Sequence, residues 1–166
     1  MFIVIDGCDA TYKTTLANKL AKKLNFPVIK GSSFELSKCN NKQLFEHFLK
    51  LAKLDNVVID RFIYSNLVYA SLYSDYAILN QYQFDEIENL IKNKVLLIYL
   101  TSDAETIKNR LKSRGDDYIN EDMIEKILNK YAEVMSKSSL MFYTYDTKLW
   151  DSDMIVEDIM KRIELK

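Results

Sequence analysis

The stretch Phe2-Ile3-Val4-Ile5-Asp6-Gly7-Cys8-Asp9-Ala10-Thr11-Tyr12-Lys13-Thr14-Thr15 decides how the rest of the chain is read. Residues 2–5 form a continuous apolar run rich in β-branched side chains, the pattern of a strand buried on both faces. Beyond the loop, Leu16, Leu20, Ala21 and Leu24 recur at helical spacing. A strand, a turn opened by glycine and a helix begun by lysine and a hydroxyl residue match the pattern GxxxxGK[ST], with Tyr12 in place of the second glycine. Such a turn points its N–H groups and the positive end of a helix at phosphate oxygens. Gly7, Asp9, Ala10, Thr11, Tyr12, Lys13, Thr14 and Thr15 are therefore the expected ATP-phosphate loop. Within it, Lys13 would bridge the β- and γ-phosphates and Thr14 would offer its hydroxyl to Mg²⁺. A Cβ at position 12 crowds a backbone that glycine would leave open, so Tyr12 is the irregularity of the loop.

Outward from this stretch, short apolar runs alternate with helix-period segments. Strands are expected at 27–30, 57–60, 95–100 and 141–145. Helices are expected at 35–54, with a break near Asn40-Asn41, and at 65–76, 83–92, 103–112, 121–137 and 154–163. No repeat, low-complexity tract or linker interrupts the series, which makes residues 1–166 a single domain. The alternation predicts a three-layer α/β fold of the P-loop NTPase kind, with about five parallel strands and helices on both faces. Ligands of such sheets lie at the carboxyl ends of the strands, which is where the informative residues fall.

Composition narrows the partners. With 23 basic and 24 acidic residues, the net charge does not favour a nucleic acid partner. The two cysteines, Cys8 and Cys39, have neither disulfide nor metal-ligand spacing, and no run is long enough to span a bilayer. A cytoplasmic protein with no membrane association is the expectation. Glycine is scarce, and all three glycines, Gly7, Gly31 and Gly115, fall beside segments expected to handle phosphate.

The third strand ends in Asp60-Arg61-Phe62-Ile63-Tyr64-Ser65, with Tyr69 four residues further on. DRxxxS followed by tyrosine, together with the GxDxxxKTT form of the first loop, resembles the thymidylate kinase family. The resemblance continues through the strand ending at Asp103, through Arg110-Leu111-Lys112-Ser113-Arg114-Gly115 and to Asp117-Tyr118-Ile119-Asn120. It covers nearly the whole chain and is weakest at 30–54. It implies transfer of the ATP γ-phosphoryl group to a deoxynucleoside 5′-monophosphate, dTMP or a related pyrimidine, by an enzyme that uses Mg²⁺ and forms a homodimer. Asp9 would meet the 3′-hydroxyl of the acceptor sugar. Asp60 would hold Mg²⁺ or orient the acceptor phosphate, and Arg61 would clamp that phosphate. Arg110 and Arg114 would belong to a mobile lid around 110–120.

The chemistry asks for such residues independently of the family. Phosphoryl transfer is positioning and charge neutralisation, so cations must converge on a crowded anionic centre. Lys13, Asp60, Arg61, Arg110 and Arg114 are the catalytic candidates, with Thr14 and Asp60 as metal ligands. Arg110 and Arg114 lie four apart and share a helix face. Asp9, Lys30, Phe34, Arg61 and Tyr69 are the acceptor-site candidates. Among further aromatics, Tyr69, Tyr73 and Tyr76 lie at a helical spacing that also suits core packing, and Asn66 could reach a base edge. His47 has no visible partner.

Two departures from the family stand out. Tyr118 and Asn120 replace the arginine and acid of the usual lid sequence, and the segment that reads the thymine edge has no counterpart. Two other readings compete. One is a deoxynucleoside kinase, whose members carry Glu-Arg rather than Asp-Arg after strand three. The other is an ATP-binding module without catalysis, suggested by Tyr12 and the thinned lid.

Overall fold

The structure is a computed structural model that describes residues 1–32, 38–115 and 120–165. Five strands are present among them: β1 (Phe2–Gly7), β2 (Val28–Lys30), β3 (Val57–Asp60), β4 (Val95–Thr101) and β5 (Phe142–Asp146). They form one parallel sheet in the order β2-β3-β1-β4-β5. The chain leaves β1 toward one edge for β2 and β3, then crosses to the other for β4 and β5. A crevice opens at the carboxyl ends where that direction reverses, beside β1.

Among the described residues, seven helices cover the sheet: α1 (Lys13–Leu24), α2 (Asn41–Ala52), α3 (Ile63–Leu72), α4 (Gln81–Ile91), α5 (Ala104–Arg114), α6 (Glu121–Ser136) and α7 (Ser152–Glu164). Every residue of β1 is buried, as a strand covered on both faces must be. Alternate β1 residues feed different cores. Phe2 and Val4 join side chains of α2, α3, α4, α5 and α6, while Ile3 and Ile5 join those of α1 and α7. The expected three-layer α/β architecture is the observed one. Among the described residues, no helix is long and apolar enough to cross a membrane.

Local rules set most helix starts. Asn40 and Asn80 close capping boxes on α2 and α4, and Asp103, Asn120 and Asp151 cap α5, α6 and α7. The break expected near Asn40 is the capping box of α2. The helix expected at 65–76 instead spans Ile63–Leu72, because Tyr73 turns to extended backbone. Asn66 explains the ending. Its side chain donates to Ala77 O at 2.8 Å and accepts from Leu79 N at 3.1 Å, strapping the following loop back onto α3. It therefore serves this loop rather than a base edge.

Two helices, α1 and α3, have no side-chain cap from their own preceding residue, and both begin at the crevice. That exception locates the site.

Candidate active site

The loop from Gly7 to Tyr12 bends tightly around its own backbone. Gly7 sits at φ 146°, and a Cβ there would lie 2.1 Å from the Leu100 carbonyl oxygen, so only glycine lets β1 leave the sheet beside β4. Ala10 and Tyr12 also have left-handed backbone, at φ 56° and 62°. Each such non-glycine residue costs about 1–3 kcal/mol and persists only where its surroundings hold it. Cys8 supplies part of the hold, its carbonyl accepting from Thr11 Oγ1 at 2.7 Å and from Lys13 Nζ. α1 then starts with N–H groups that no side chain caps, the arrangement that suits an anion.

Asp6 organises the other half. It is fully buried, and one carboxylate oxygen accepts from Phe62 N at 2.9 Å and Ser65 N at 3.2 Å. The cap missing from the residues before α3 thus comes from β1, far away in sequence. The second oxygen accepts from Gly7 N at 2.9 Å, from the Ser65 hydroxyl and from Tyr131 OH at 3.1 Å. Burial raises the pKa of this carboxyl, against the pull of Ser65, Phe62 and Gly7. The cluster pins the phosphate loop, the Asp60-Arg61 turn and α6 to one another. Asp6 and Tyr131 were not singled out from the sequence. The available signal was an acid closing an apolar strand, which in a parallel sheet must find donors at the strand end.

The turn after β3 is held as closely. Arg61 has left-handed backbone at φ 66°, and its carbonyl approaches so near to Gly31 that a Cβ there would stand 2.2 Å from it. His47 Nε2 lies 2.8 Å from the Gly31 carbonyl oxygen, so the one histidine braces the end of β2. The Arg61 side chain turns to the phosphate loop and pairs with Asp9. Tyr69 OH donates to the other Asp9 oxygen at 2.5 Å, and the Arg61 guanidinium lies over the Tyr69 ring at 5.6 Å. Burial would raise the pKa of Asp9, but Arg61 and Lys13 hold it below the usual carboxylate value. Burial, followed by repulsion from Arg61, depresses Lys13 to about 8. Two cations are thus held close together in a poorly solvated crevice.

Thr14 Oγ1 donates to Asp60 Oδ2 at 2.6 Å, which brings together the two side chains expected to hold Mg²⁺. Asp60 Oδ1 is buried and has no hydrogen-bond partner among the described residues. A buried carboxylate oxygen without a donor is costly unless a cation takes it, so the pair fits the metal. No cluster of three metal-ligating acids, histidines or cysteines occurs among the described residues. Mg²⁺ does not require one, because phosphate oxygens and water complete its shell.

Arg110 reaches the loop from α5. Its Nη1 donates to Ala10 O at 3.0 Å and to Thr147 Oγ1 at 2.8 Å, and Nη2 donates to Thr147 O at 2.8 Å. Arg110 and Arg114 both lie over the ring of Tyr12, at 4.4 and 5.8 Å. Thr15 is exposed on the first turn of α1, and Lys30 is exposed at the end of β2, abreast of Asp60. Phe34, and residues 116–119 of the expected lid, lie outside the described residues. Of the remaining site residues, Lys13, Thr14, Asp9, Asp60, Arg61 and Tyr69 converge around the crevice. Thr147 belongs to the segment 146–150 after the last strand, which the sequence places on the ATP side; its contact with Arg110 is what the fold adds.

A parallel sheet of this order, with a phosphate loop after β1 and an Asp-Arg turn after β3, defines a P-loop kinase scaffold. The chain belongs to the deoxynucleoside kinase family, whose profile matches residues 33–165. It is 52% identical over 162 residues to the SPbeta prophage-derived protein YorR of Bacillus subtilis, covering 98% of each chain. The crystal structure of YorR, in complex with phosphorylated GDP, superposes with a TM-score of 0.96 over 99% of this chain and 96% of that one. The deoxyguanosine kinase of Bacillus subtilis is 29% identical, with 78% of this chain and 76% of that protein covered. A probable thymidylate kinase of Methanocaldococcus jannaschii is 28% identical, with 89% and 87% covered. The chain is thus a kinase of nucleosides or nucleotides, and the choice of acceptor has to be argued from the site.

Proposed function

We propose that this kinase transfers the γ-phosphoryl group of Mg-ATP to the phosphate of a deoxynucleoside 5′-monophosphate. The observation that carries the reading is the placement of Arg61, half-buried near the buried Lys13 and tied to Asp9. A nucleoside hydroxyl must lose a proton as it attacks, so it needs a base. An acceptor phosphate is already ionised and needs cations instead. Asp9, the carboxylate at the acceptor side of the loop, is held by Arg61 and Tyr69 and has its pKa lowered, which makes it a poor base. Asp60 is engaged by Thr14 through one oxygen, and its other oxygen is the one that would hold Mg²⁺. Arg61 offers a planar fork to phosphate oxygens, and displacement of its Asp9 contact would free both groups for substrate.

In the reaction, an acceptor phosphate oxygen forms a bond to the γ-phosphorus while the bond to the bridging oxygen of ADP breaks. Lys13 and the open N–H groups of α1 hold the donor phosphates, and Arg61 aligns the acceptor against them. Thr14 and Asp60 would hold Mg²⁺, which supplies charge neutralisation at the donor phosphates. The GxD form of the loop and the Asp-Arg turn support a thymidylate kinase-like acceptor, with dTMP or a related pyrimidine as the base. The guanine nucleotide bound by YorR adds dGMP to the candidates.

The family match and the deoxyguanosine kinase relative support a second reading, phosphorylation of the deoxynucleoside itself. Incubation with Mg-ATP and a panel of deoxynucleosides and their 5′-monophosphates, with products resolved by charge, separates the two. Diphosphates formed from monophosphates are the expected result. Monophosphates formed only from nucleosides would overturn it.

A further inference from the structure

Tyr12 keeps a strained left-handed backbone where the loop pattern asks for glycine, and its ring is not buried in return. The residue is 39% exposed, and with Arg110 and Arg114 it lines an open cavity of about 400 Å³ beside α5. Core packing therefore does not account for the ring. Its contacts are the two guanidiniums, with Cζ atoms 4.4 Å (Arg110) and 5.8 Å (Arg114) from the ring centroid.

The two arginines differ in what their donors do. Arg110 spends its terminal nitrogens on Ala10 O, Thr147 Oγ1 and Thr147 O, tying the loop to the turn after β5. Arg114 makes no hydrogen bond or ion pair among the described residues. A guanidinium drawn to an aromatic face by its charge need not give up its in-plane N–H donors, whereas a carboxylate partner would take them. The ring can thus hold an arginine near the phosphate loop and leave it able to bind phosphate.

We propose that Tyr12 is a positioning residue for the donor side. Its ring holds Arg114 over the phosphate loop with donors open to the phosphates of Mg-ATP, while Arg110 is fixed independently by Ala10 and Thr147. The inference rests on the kinase reading above and adds a role for the residue that departs from the loop pattern.

The test measures Mg-ATP affinity by calorimetry, and transfer with the best acceptor, for Tyr12→Phe, Tyr12→Leu, Tyr12→Gly, Arg114→Ala and the double variant Y12L/R114A. Leu and Gly should weaken Mg-ATP binding about three- to tenfold, while Phe, which keeps the ring and the same backbone strain, restores it. The double variant should bind no worse than R114A alone, because the ring acts through that arginine. Gly relieves the left-handed backbone, so its melting temperature should hold while affinity falls. A merely structural ring would lower both. Wild-type affinity in Tyr12→Gly, equal losses in Phe and Leu, or losses that multiply in Y12L/R114A would each overturn the proposal. If the wild type phosphorylates no acceptor, the proposed function fails, yet the ATP-binding cycle still decides the role of Tyr12.

Discussion

Two helices begin at the crevice without a cap from their own flanking residues, and the protein treats them in opposite ways. At α3, a carboxylate from a distant strand takes the N–H groups of Phe62 and Ser65. At α1, no side chain caps the first turn, and a lysine with a pKa depressed to about 8 lies beside it. The first end is closed by protein and gives rigidity, while the second has no side-chain cap among the described residues, as the proposed phosphate site requires. The same dipole therefore serves stability in one place and binding in the other, according to whether the fold delivers an internal anion.

Replacing residues at the open end should affect activity most. On the proposed reading, Lys13→Ala removes the cation nearest the donor phosphates, and transfer should fall about a thousandfold with little change in thermal stability. Near-normal turnover would remove the loop from the mechanism. Arg61→Ala comes next. Transfer should drop about a hundredfold while Mg-ATP affinity changes far less, because the proposed partner of the fork is the acceptor phosphate. Equal losses in transfer and ATP binding would move Arg61 to the donor side.

The closed end should respond in stability. Asp6→Ala strands the N–H groups of Gly7, Phe62 and Ser65 and the hydroxyls of Ser65 and Tyr131, and denaturant unfolding should show a loss of about 3 kcal/mol. A loss below about 1 kcal/mol would mean that these donors find other partners. The smallest effect is in pH. If Lys13 binds phosphate as a cation, as proposed, Mg-ATP affinity should weaken as pH rises through about 8. Binding near that pH should take up protons, since the donor phosphates favour the charged amine. Calorimetry in buffers of different ionisation enthalpy reads that uptake, and flat affinity to pH 9.5 would contradict it.

The donor half was legible because it is nearly contiguous. Gly7 to Thr15 carry their spacing in the chain, and a strand running into a helix is enough to orient them. The acceptor half depends on residues brought together over long distances, as Asp9 meets Arg61 and Tyr69, and Asp6 meets Ser65 and Tyr131. The Asp60-Arg61 motif marked the place but not the partners. Asn66 shows the opposite error, because an amide on a helix gives no sign that a loop eleven to thirteen residues onward will bind both of its ends.

By itself, the sequence determined the layers, the parallel sheet and the strand, turn and helix of the proposed phosphate loop, because burial periodicity and short-range turn chemistry act within a few residues. Tertiary structure decided which uncapped helix is closed and which stays open, that Asp9 is engaged by Arg61 and Tyr69, and that Tyr12 lies beneath two arginines of α5. Those outcomes depend on where separate strands end relative to one another. Only the packed sheet sets that distance, and with it whether a buried charge meets a protein partner or remains available to a ligand.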